Sequence, residues 1–401
     1  MPKDSVMQQP LFLQWGVSTL YGWGVYGLNL LWHWPKVSGA RAYYGGQIDL
    51  ESFSAMDPLR LRALAPALVE SSQLKAINAP QMDPAVPFDG VLLHTAGNRP
   101  NFTSLLPRAG GRSAKAIGAV IFFEDTIMPE VREGADELAM IAAGSTWCEE
   151  VMRAQGVTNV TTVLQGVDPS LFSPAPRFGA LDGRFAIFSG GKLEHRKGQD
   201  LVIRAFRAFA QRHAEAILVT AWHSPWPMTA ASLNGHPDIA PVVFNAEGAV
   251  DSLGWARANG IAEEQFIDLG RIPNHQMARA LREMDVAVFP NRCEGGTNLF
   301  AMEAMACGLP AIVSNNTGHK DLVGTGAPYV LTRQGPVSVP GIGTDGWGES
   351  DVDEIVEALE HVWAHREEAK LRGTACAEAM AQWSWRNQIG RLHQAFAPLC
   401  S

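Results

Sequence analysis

The sequence predicts an α/β protein made of two successive units. Short apolar runs alternate with helix-forming stretches through both halves of the 401 residues, and this alternation is typical of parallel sheets covered by helices. The runs are apolar on both faces, as the strands of a buried parallel sheet are. A change to Ser, Pro, Arg and Gly at 173–184 indicates a linker between the two units.

The first half predicts five strands and a glycine-containing loop. The predicted strands are 11–19, 89–95, 116–124, 140–146 and 160–168. Gly22, Gly24 and Gly27 follow the first strand, where we expect a loop before a helix. Their G-x-G-x-x-G spacing, with Asp49 further on, matches a dinucleotide fingerprint. The match alone is weak, because glycines let the backbone approach a bound donor or acceptor equally well.

Polar residues are predicted at two strand ends of this half. His94 is expected to end its strand, and the carboxyl end of a parallel strand is where α/β sheets place ligands. A core histidine is an equally good interpretation. Glu124 and Asp125 end the next predicted strand, where they are expected either to contact an acceptor hydroxyl or to cap the following helix.

The most informative segment of the second half is 289–310, FPNRCEGGTNLFAMEAMACGLP. The apolar run 286–290 predicts a strand, and 299–308 predicts a helix that Gly308 and Pro310 end. The backbone N–H groups of Gly296, Thr297, Asn298 and Leu299 then lie at or just before a helix N-terminus, which suits an anion. Glu303, inside the helix, is placed to accept hydrogen bonds from a ribose.

A second loop predicts the other half of this site. The apolar run from Phe185 enters Gly190 and Gly191, and Lys192 and Lys197 then flank a loop before the helix 199–213. Two ammonium groups and a helix N-terminus together suit a diphosphate. The connecting elements alternate as an α/β unit requires, with strands predicted at 216–222 and 266–274, a helix at 275–284, and a strand ending in a polar loop within 310–319.

These two segments, with 135–174, resemble the retaining nucleotide-sugar glycosyltransferases of the GT-B type, family four. The resemblance implies two Rossmann-like domains facing across a cleft, with a C-terminal helix that crosses back to the N-terminal domain. The implied boundaries are 1–175 for the acceptor-side domain, 176–382 for the nucleotide-sugar domain and 383–401 for the returning helix. The implied reaction is metal-independent hexosyl transfer to an acceptor hydroxyl with retention of configuration.

The resemblance also implies roles for individual residues. Glu303 matches the family's distal glutamate, which contacts the ribose, and Glu294 matches the proximal one, which contacts the sugar. The two are eight residues apart in the family and nine apart here. Lys192 stands where the family has arginine, and Lys197 matches the family's lysine. The implied catalytic residues are His94, Lys192, Lys197 and Glu294. The implied donor contacts are Gly22, Gly24, Arg271, Ile272, Gly296, Thr297, Asn298, Leu299 and Glu303, with Thr317 and Gly318 nearby.

Two patterns in the last quarter suggest metals, and each has a better explanation. Asp351-Val-Asp353 resembles the DXD motif of the other glycosyltransferase fold, but it opens a helix whose first turn is acidic, as an N-cap does. His361 and His365 share a helix face with no third ligand motif nearby, which favours a solvated face. We therefore expect no metal site.

Composition limits the partners and the compartment. The net charge of −9 argues against nucleic acid. No apolar run is long enough to span a bilayer and the first residues lack a secretion signal, so we expect a cytoplasmic protein, with peripheral membrane contact left open. Five cysteines without disulfide or zinc spacing agree with a reducing compartment.

The expected substrates are a UDP-, GDP- or ADP-sugar and an acceptor that is a glycan, a lipid-linked sugar or a small molecule, with no cofactor. Two other function classes stay open. A nicotinamide-dependent oxidoreductase depends on the glycines after the first strand, and a non-catalytic nucleotide-sugar-binding protein would share the same fold.

Overall fold

The computed structural model describes residues 10–45, 48, 50–78, 88–96, 102, 114–122, 124–126, 133–223 and 226–400, with backbone only at 73–78, 88, 89, 114, 115, 117 and 400. The chain forms two compact units, of which the first comprises 1–166 and 383–401 and the second 167–382. Asp49 lies outside the described residues.

The described strands and helices alternate in both units. The strands are β1 Leu11–Leu13, β2 Ala42–Tyr44, β3 Phe88–Ala96, β4 Ala114–Ile121, β5 Met140–Ala143, β6 Val160–Thr162, β7 Phe185–Gly190, β8 Ala216–Ala221, β9 Phe266–Asp268, β10 Val286–Phe289, β11 Ala311–Ser314, β12 Tyr329–Leu331, β13 Gln334–Gly335 and β14 Glu349–Ser350. The helices are α1 Gly22–Ser38, α2 Pro58–Asn78, α3 Thr146–Ala154, α4 Gln199–Ala210, α5 Ser252–Ala258, α6 Asn274–Leu281, α7 Leu299–Ala306, α8 His319–Val323, α9 Val352–Ala364, α10 Arg366–Ala381 and α11 Trp385–Phe396.

The first unit is built on a parallel sheet of order β2-β1-β3-β4-β5-β6. Its strand order reverses between β1 and β3, which is a topological switch point of the kind where open α/β sheets bind ligands. The predicted C-terminal helix is observed as α11, which lies in this unit and packs on α1. Trp385 of α11 stacks on Tyr26 of α1 at 5.2 Å between ring centroids.

The second unit contains a parallel sheet of order β12-β11-β10-β7-β8-β9. Numbered within the unit, this is the 3-2-1-4-5-6 order of a Rossmann domain, with its switch point between β7 and β10. All residues of β7, β8, β10 and β11 are buried, as the apolar runs predicted. The two-Rossmann architecture predicted from the sequence is confirmed.

Several predicted strands are longer than the observed ones. The prediction 11–19 corresponds to β1, which ends at Leu13, and 160–168 and 266–274 are likewise shortened to β6 and β9. In each case the chain leaves the sheet earlier than predicted, and residues of the following loop were counted as strand. Within 310–319 the strand is β11, followed by the segment predicted as a polar loop. His94 was predicted to end its strand, but β3 continues to Ala96, so His94 lies inside it opposite Ala119.

The glycine-containing loop predicted after β1 is wrong, because α1 already begins at Gly22 and includes Gly24 and Gly27. A side chain at Gly24 would place its Cβ 2.7 Å from the backbone nitrogen of Ser18. At Gly27 it would lie 2.8 Å from the indole nitrogen of Trp15. These two glycines therefore let the helix pack closely on the segment that precedes it.

The helix-capping interpretation of Asp351 is confirmed. Its side chain accepts a hydrogen bond from the backbone N–H of Glu354 at 2.9 Å at the start of α9. His361 and His365 are stacked on each other at 4.4 Å, and the His361 ring lies 3.1 Å from the Glu368 carboxylate. None of the helices within the described ranges is long and apolar enough to cross a membrane.

Replacing Gly24 with alanine tests the packing role of the α1 glycines. We expect Gly24→Ala to destabilise the protein by about 1–3 kcal/mol, since overpacking against backbone costs that much. Gly22→Ala is the matched control, because Gly22 is exposed at the first residue of the same helix, and it should change stability by no more than about 0.5 kcal/mol. Denaturant unfolding measures both, and equal effects of the two changes would contradict the packing role.

Candidate functional site

The loops that follow β7 and β10 meet at the switch point of the second sheet. The two strands are paired, with Ala287 opposite Phe188. Beyond the strands, the carbonyl of Arg196 accepts hydrogen bonds from the backbone N–H groups of Arg292 at 2.7 Å and Cys293 at 3.1 Å. Gly198, at φ +70°, lies directly against the carbonyl of Pro290. The two loops predicted to form the site are therefore in direct contact.

The buried side chain of Arg292 connects the two loops. Its side chain is 1% exposed and forms a bidentate ion pair with Asp200, at 2.8 and 2.7 Å, in the first turn of α4. The same guanidinium donates to the carbonyl of His195 at 2.7 Å and to the carboxylate of Glu349 at 2.6 Å. Burial raises the pKa of Asp200, but Arg292 outweighs it and the net pKa is lowered.

Glu294 is held as an anion by the loop after β7. Its buried carboxylate accepts hydrogen bonds from Lys197 Nζ and Asn291 Nδ2, and Arg196 lies at 3.3 Å. Burial alone raises the pKa of Glu294, but the charges of Lys197 and Arg196 outweigh it and lower the pKa to about 2. Burial and Arg196 lower the pKa of Lys197, and Glu294 opposes them.

The remaining charges of the loop form a second pair next to the first. Lys192 Nζ lies 2.8 Å from the carboxylate of Glu194 and 5.6 Å from the ring centre of Trp226. Arg196 Nε lies 2.5 Å from the other oxygen of Glu194. Lys192, Arg196 and Lys197 thus alternate with the carboxylates of Glu194 and Glu294 along these loops, next to the pairing of Arg292 with Asp200 and Glu349.

The turn that carries Gly296 and Thr297 is supported by the segment after β11. The backbone N–H of Glu294 donates to Thr317 Oγ1 at 2.8 Å, and the backbone N–H of Gly318 donates to the Glu294 carbonyl at 2.9 Å. A Cβ at Gly318 would clash with the Gly296 carbonyl. Thr317 itself has φ +39°, which is an unfavourable backbone for a β-branched residue.

Asn298 and Leu299 begin the helix as predicted. Asn298 is the N-cap of α7 at φ +62°, with its side-chain oxygen 3.5 Å from the backbone nitrogen of Ala301. Phe300, in the first turn, packs on Phe188 of β7 at 6.1 Å between ring centroids. The first turn of α7 therefore lies beside the strand that leads into the cationic loop.

The pKa of Glu303 is shifted in the opposite direction to that of Glu294. It is 4% exposed, and its carboxylate accepts a hydrogen bond from Asn274 Nδ2 at 2.5 Å. Burial raises the pKa of Glu303 to about 8, with the amide opposing it only in part. Asn274 is the first residue of α6, two residues after Ile272, so the segment of the predicted donor contacts Arg271 and Ile272 ends beside Glu303. Arg271 is exposed.

The predicted residues of the first unit lie at the carboxyl end of its own sheet. His94 is 2% exposed on β3, and Glu124 and Asp125, at 8% and 2%, follow β4. Gly22 and Gly24 begin α1 after β1. Their roles toward a sugar or an acceptor stay predictions, as do those of the residues in the second unit.

Sequence reasoning missed most of the residues that hold the site together. They are Arg196, Asp200, Asn274, Arg292, Asn291, Ser314 and His319. Arg292 stood inside the segment 289–310 and Arg196 between the two lysines, yet their partners Asp200 and Glu294 are 92 and 98 residues away and leave no local signal. Within the described ranges no group of three His, Cys, Asp or Glu side chains is placed to hold a metal.

The comparisons with known proteins agree with this geometry. A family model described as a family 4 glycosyltransferase in conflict systems matches residues 271–392. A curated relative, the GDP-mannose-dependent alpha-(1-6)-phosphatidylinositol monomannoside mannosyltransferase of Mycolicibacterium smegmatis, is 28% identical over 57% of this chain and 53% of its own length. The lipopolysaccharide core biosynthesis mannosyltransferase LpcC of Rhizobium leguminosarum is 28% identical over 41% of this chain and 43% of its own.

Solved structures match over nearly the whole chain. The sucrose-phosphate synthase of Thermosynechococcus elongatus has a TM-score of 0.61 at 15% identity, covering 98% of this chain and 99% of that one. Anabaena Alr3699/HepE in complex with UDP has a TM-score of 0.60 at 13% identity, covering 97% and 100%. Residues 271–392 are therefore similar to family 4 glycosyltransferases, and the chain shares the fold of these solved structures. It spans about half the length of the curated relatives it matches.

The opposite pKa shifts of Glu294 and Glu303 predict opposite pH dependences of stability. The pKa of Glu303 is raised, so its contribution is full below about pH 4.5 and is lost as the pH rises to about 8. The advantage of Glu303→Gln over wild type in unfolding free energy should therefore grow from pH 5 to pH 8, on the order of a few kcal/mol.

Glu294 provides the matched comparison. Its pKa is lowered, so its contribution is present above about pH 4.5 and is lost as the pH falls toward about 2. The deficit of Glu294→Gln relative to wild type should shrink over that range. Urea unfolding at a series of pH values measures both variants, and a Glu303→Gln difference that stays constant between pH 5 and pH 8 would contradict the raised pKa.

Proposed function

We propose that this protein transfers a hexose from a nucleoside diphosphate sugar to an acceptor hydroxyl, with retention of anomeric configuration. The observation that carries the proposal is the switch point of the second sheet. There Lys192, Arg196 and Lys197 and the first turn of α7 lie on adjoining loops at the carboxyl ends of β7 and β10. Cations and free backbone N–H groups at one place suit a diphosphate.

The nucleoside would lie toward β9. Glu303 would accept hydrogen bonds from the ribose hydroxyls, and the backbone at Arg271 and Ile272 would contact the base. The hydrogen bond from Asn274 to Glu303 supports this arrangement, because it places the end of that segment beside the carboxylate. Glu294, fixed by Lys197, would contact the sugar.

In this mechanism the bond between the anomeric carbon and the diphosphate oxygen breaks, and the acceptor oxygen bonds to the same face of that carbon. The acceptor proton passes to the departing diphosphate, so no protein nucleophile is needed. Lys192, Lys197 and the helix N-terminus stabilise the charge that grows on the diphosphate. A preorganised cationic site performs this role without a metal ion.

GDP-mannose is the first donor to test. The curated relatives include mannosyltransferases described as GDP-mannose-dependent, and their similarity covers 57% of this chain. UDP- and ADP-sugars are the alternatives. The acceptor would be a glycan, a lipid-linked sugar or a small molecule, with Glu124 and Asp125 on its side and His94 toward the donor sugar. Four buried free cysteines among the described residues support a cytoplasmic location.

The other two function classes have less support. A nicotinamide site would use the glycines after β1, yet Gly24 and Gly27 are inside α1 and packed against Ser18 and Trp15. A non-catalytic nucleotide-sugar-binding protein would bind the donor without turning it over. Slow hydrolysis of the donor by wild type in the absence of acceptor would exclude that reading.

A ligand panel tests the proposal. Thermal shifts with UDP, GDP, ADP, their common sugar conjugates and NADH should show stabilisation by one nucleoside diphosphate series, by about 2.7 kcal/mol at 100 times its Kd. Proton NMR of the early product should show the anomeric configuration of the donor, and turnover should persist in EDTA. Stabilisation by NADH alone, or an inverted product, would overturn the proposed reaction.

Lys197 should act on the chemical step. We expect Lys197→Ala to lower kcat far more than it raises the KM for the donor, by about 10²–10³, since the diphosphate charge is largest in the transition state. Lys197→Arg should recover part of the loss. Lys370→Ala is the control, because Lys370 is 72% exposed on α10. A folded Lys197→Ala enzyme with the kcat of the control would remove Lys197 from the mechanism.

A further inference from the structure

A buried chain of hydrogen bonds runs behind the turn that joins Glu294 to α7. His319, at the first residue of α8, is 0% exposed. Its Nε2 lies 3.1 Å from Asn298 Nδ2 and its Nδ1 lies 2.9 Å from Ser314 Oγ. Ser314 Oγ in turn donates to the carbonyl of Asn291 at 2.7 Å.

The chemistry of the partners determines the tautomer of His319. An amide Nδ2 is only a donor, so Nε2 of His319 must be the acceptor and carries no proton. The proton is then on Nδ1, which donates to Ser314, whose own hydrogen is used on the Asn291 carbonyl. Burial lowers the pKa of His319 to about 4, with Glu294 opposing and Lys197 adding to the effect. The ring is therefore neutral at physiological pH.

The residue that His319 holds is under backbone strain. Asn298 has φ +62° and is one of three described non-glycine residues with positive φ. It lies in the turn that is one residue longer than the family's spacing between its two glutamates. Because Asn298 is the N-cap of α7, its orientation decides where the N–H groups of the first helical turn point.

We propose that His319 is a positioning residue for the donor reaction, acting through its hydrogen bond to Asn298. The neutral ring fixes the N-cap, and the N-cap fixes the N–H groups that meet the charge developing on the diphosphate. This role rests on the proposed function. The role affects kcat more than the KM for the sugar donor. A misdirected backbone N–H group raises the energy of the transition state more than that of the bound substrate, because the charge on the diphosphate is largest in the transition state.

Two substitutions of His319 separate its two hydrogen bonds. His319→Gln keeps an acceptor near the position of Nε2 and can still hold Asn298, whereas His319→Asn keeps a donor near the position of Nδ1 and can still reach only Ser314. We expect His319→Gln to stay within about 3-fold of wild-type kcat and His319→Asn to lose about 10-fold or more, with donor KM little changed. Lys320→Ala is the matched control, because Lys320 is exposed on α8 next to His319 and should leave kcat unchanged.

A double-mutant cycle tests the path of action. Asn298→Gly relieves the positive-φ strain but removes the amide that His319 holds. If His319 acts through Asn298, the double variant His319→Asn with Asn298→Gly should have a kcat no lower than that of the less active of the two single variants. Losses that multiply, or equal kcat values for His319→Gln and His319→Asn at equal stability, would overturn the proposal.

The wild-type enzyme separates this role from the proposed function. If wild type turns over donor and the cycle is additive, the positioning role fails and the transferase stands. If wild type neither turns over nor binds any nucleoside diphosphate in calorimetry, the proposed function fails and the role of His319 fails with it.

Discussion

The candidate site at the switch point of the second sheet depends on the buried ion pair between Arg292 and Asp200. A buried guanidinium is costly unless every face is paired, and Arg292 meets this condition with a carboxylate on α4, the carbonyl of His195 and Glu349. Removing one partner of such a pair costs about 3–5 kcal/mol. Its partners belong to separate segments of the unit, so the pair fixes the cationic loop against the turn after β10. This placement of the two loops brings Lys197 beside Glu294.

The segment 289–310 holds the carboxylate of Glu294 charged and that of Glu303 neutral. Glu294 faces the cations Lys197 and Arg196, whereas Glu303 accepts a hydrogen bond from the neutral amide of Asn274, so burial dominates the pKa of Glu303. The two states suit different tasks. In the proposed function an ionised Glu294 would complete the charge pattern around a diphosphate and a sugar. A neutral Glu303 avoids a buried, unpaired charge, and it becomes a better acceptor if donor groups such as ribose hydroxyls arrive.

The fold and the main site loops follow from local sequence, and the supporting contacts do not. Apolar runs and Gly or Pro breaks were enough to predict the two sheets, the helix after Asn298 and the cap at Asp351, because these depend on neighbours in the chain. The glycines of α1 were wrongly predicted to form a loop. Glycine is required there by close packing on Ser18, a contact that exists only in the folded protein. Arg292 and Asp200, 92 residues apart, pair only after the strands have been ordered in the sheet.

The nine-residue spacing of the two glutamates is compatible with both roles, because each carboxylate is held by its own surroundings. Glu294 is fixed by the end of β10 and by Lys197, and Glu303 by its place in α7 and by Asn274. The turn between them has only to connect two fixed points. Asn298 has a positive φ in this turn, and Thr317 and His319 form hydrogen bonds to Glu294 and Asn298, respectively. An added residue in the turn therefore alters its backbone while both carboxylates keep their partners.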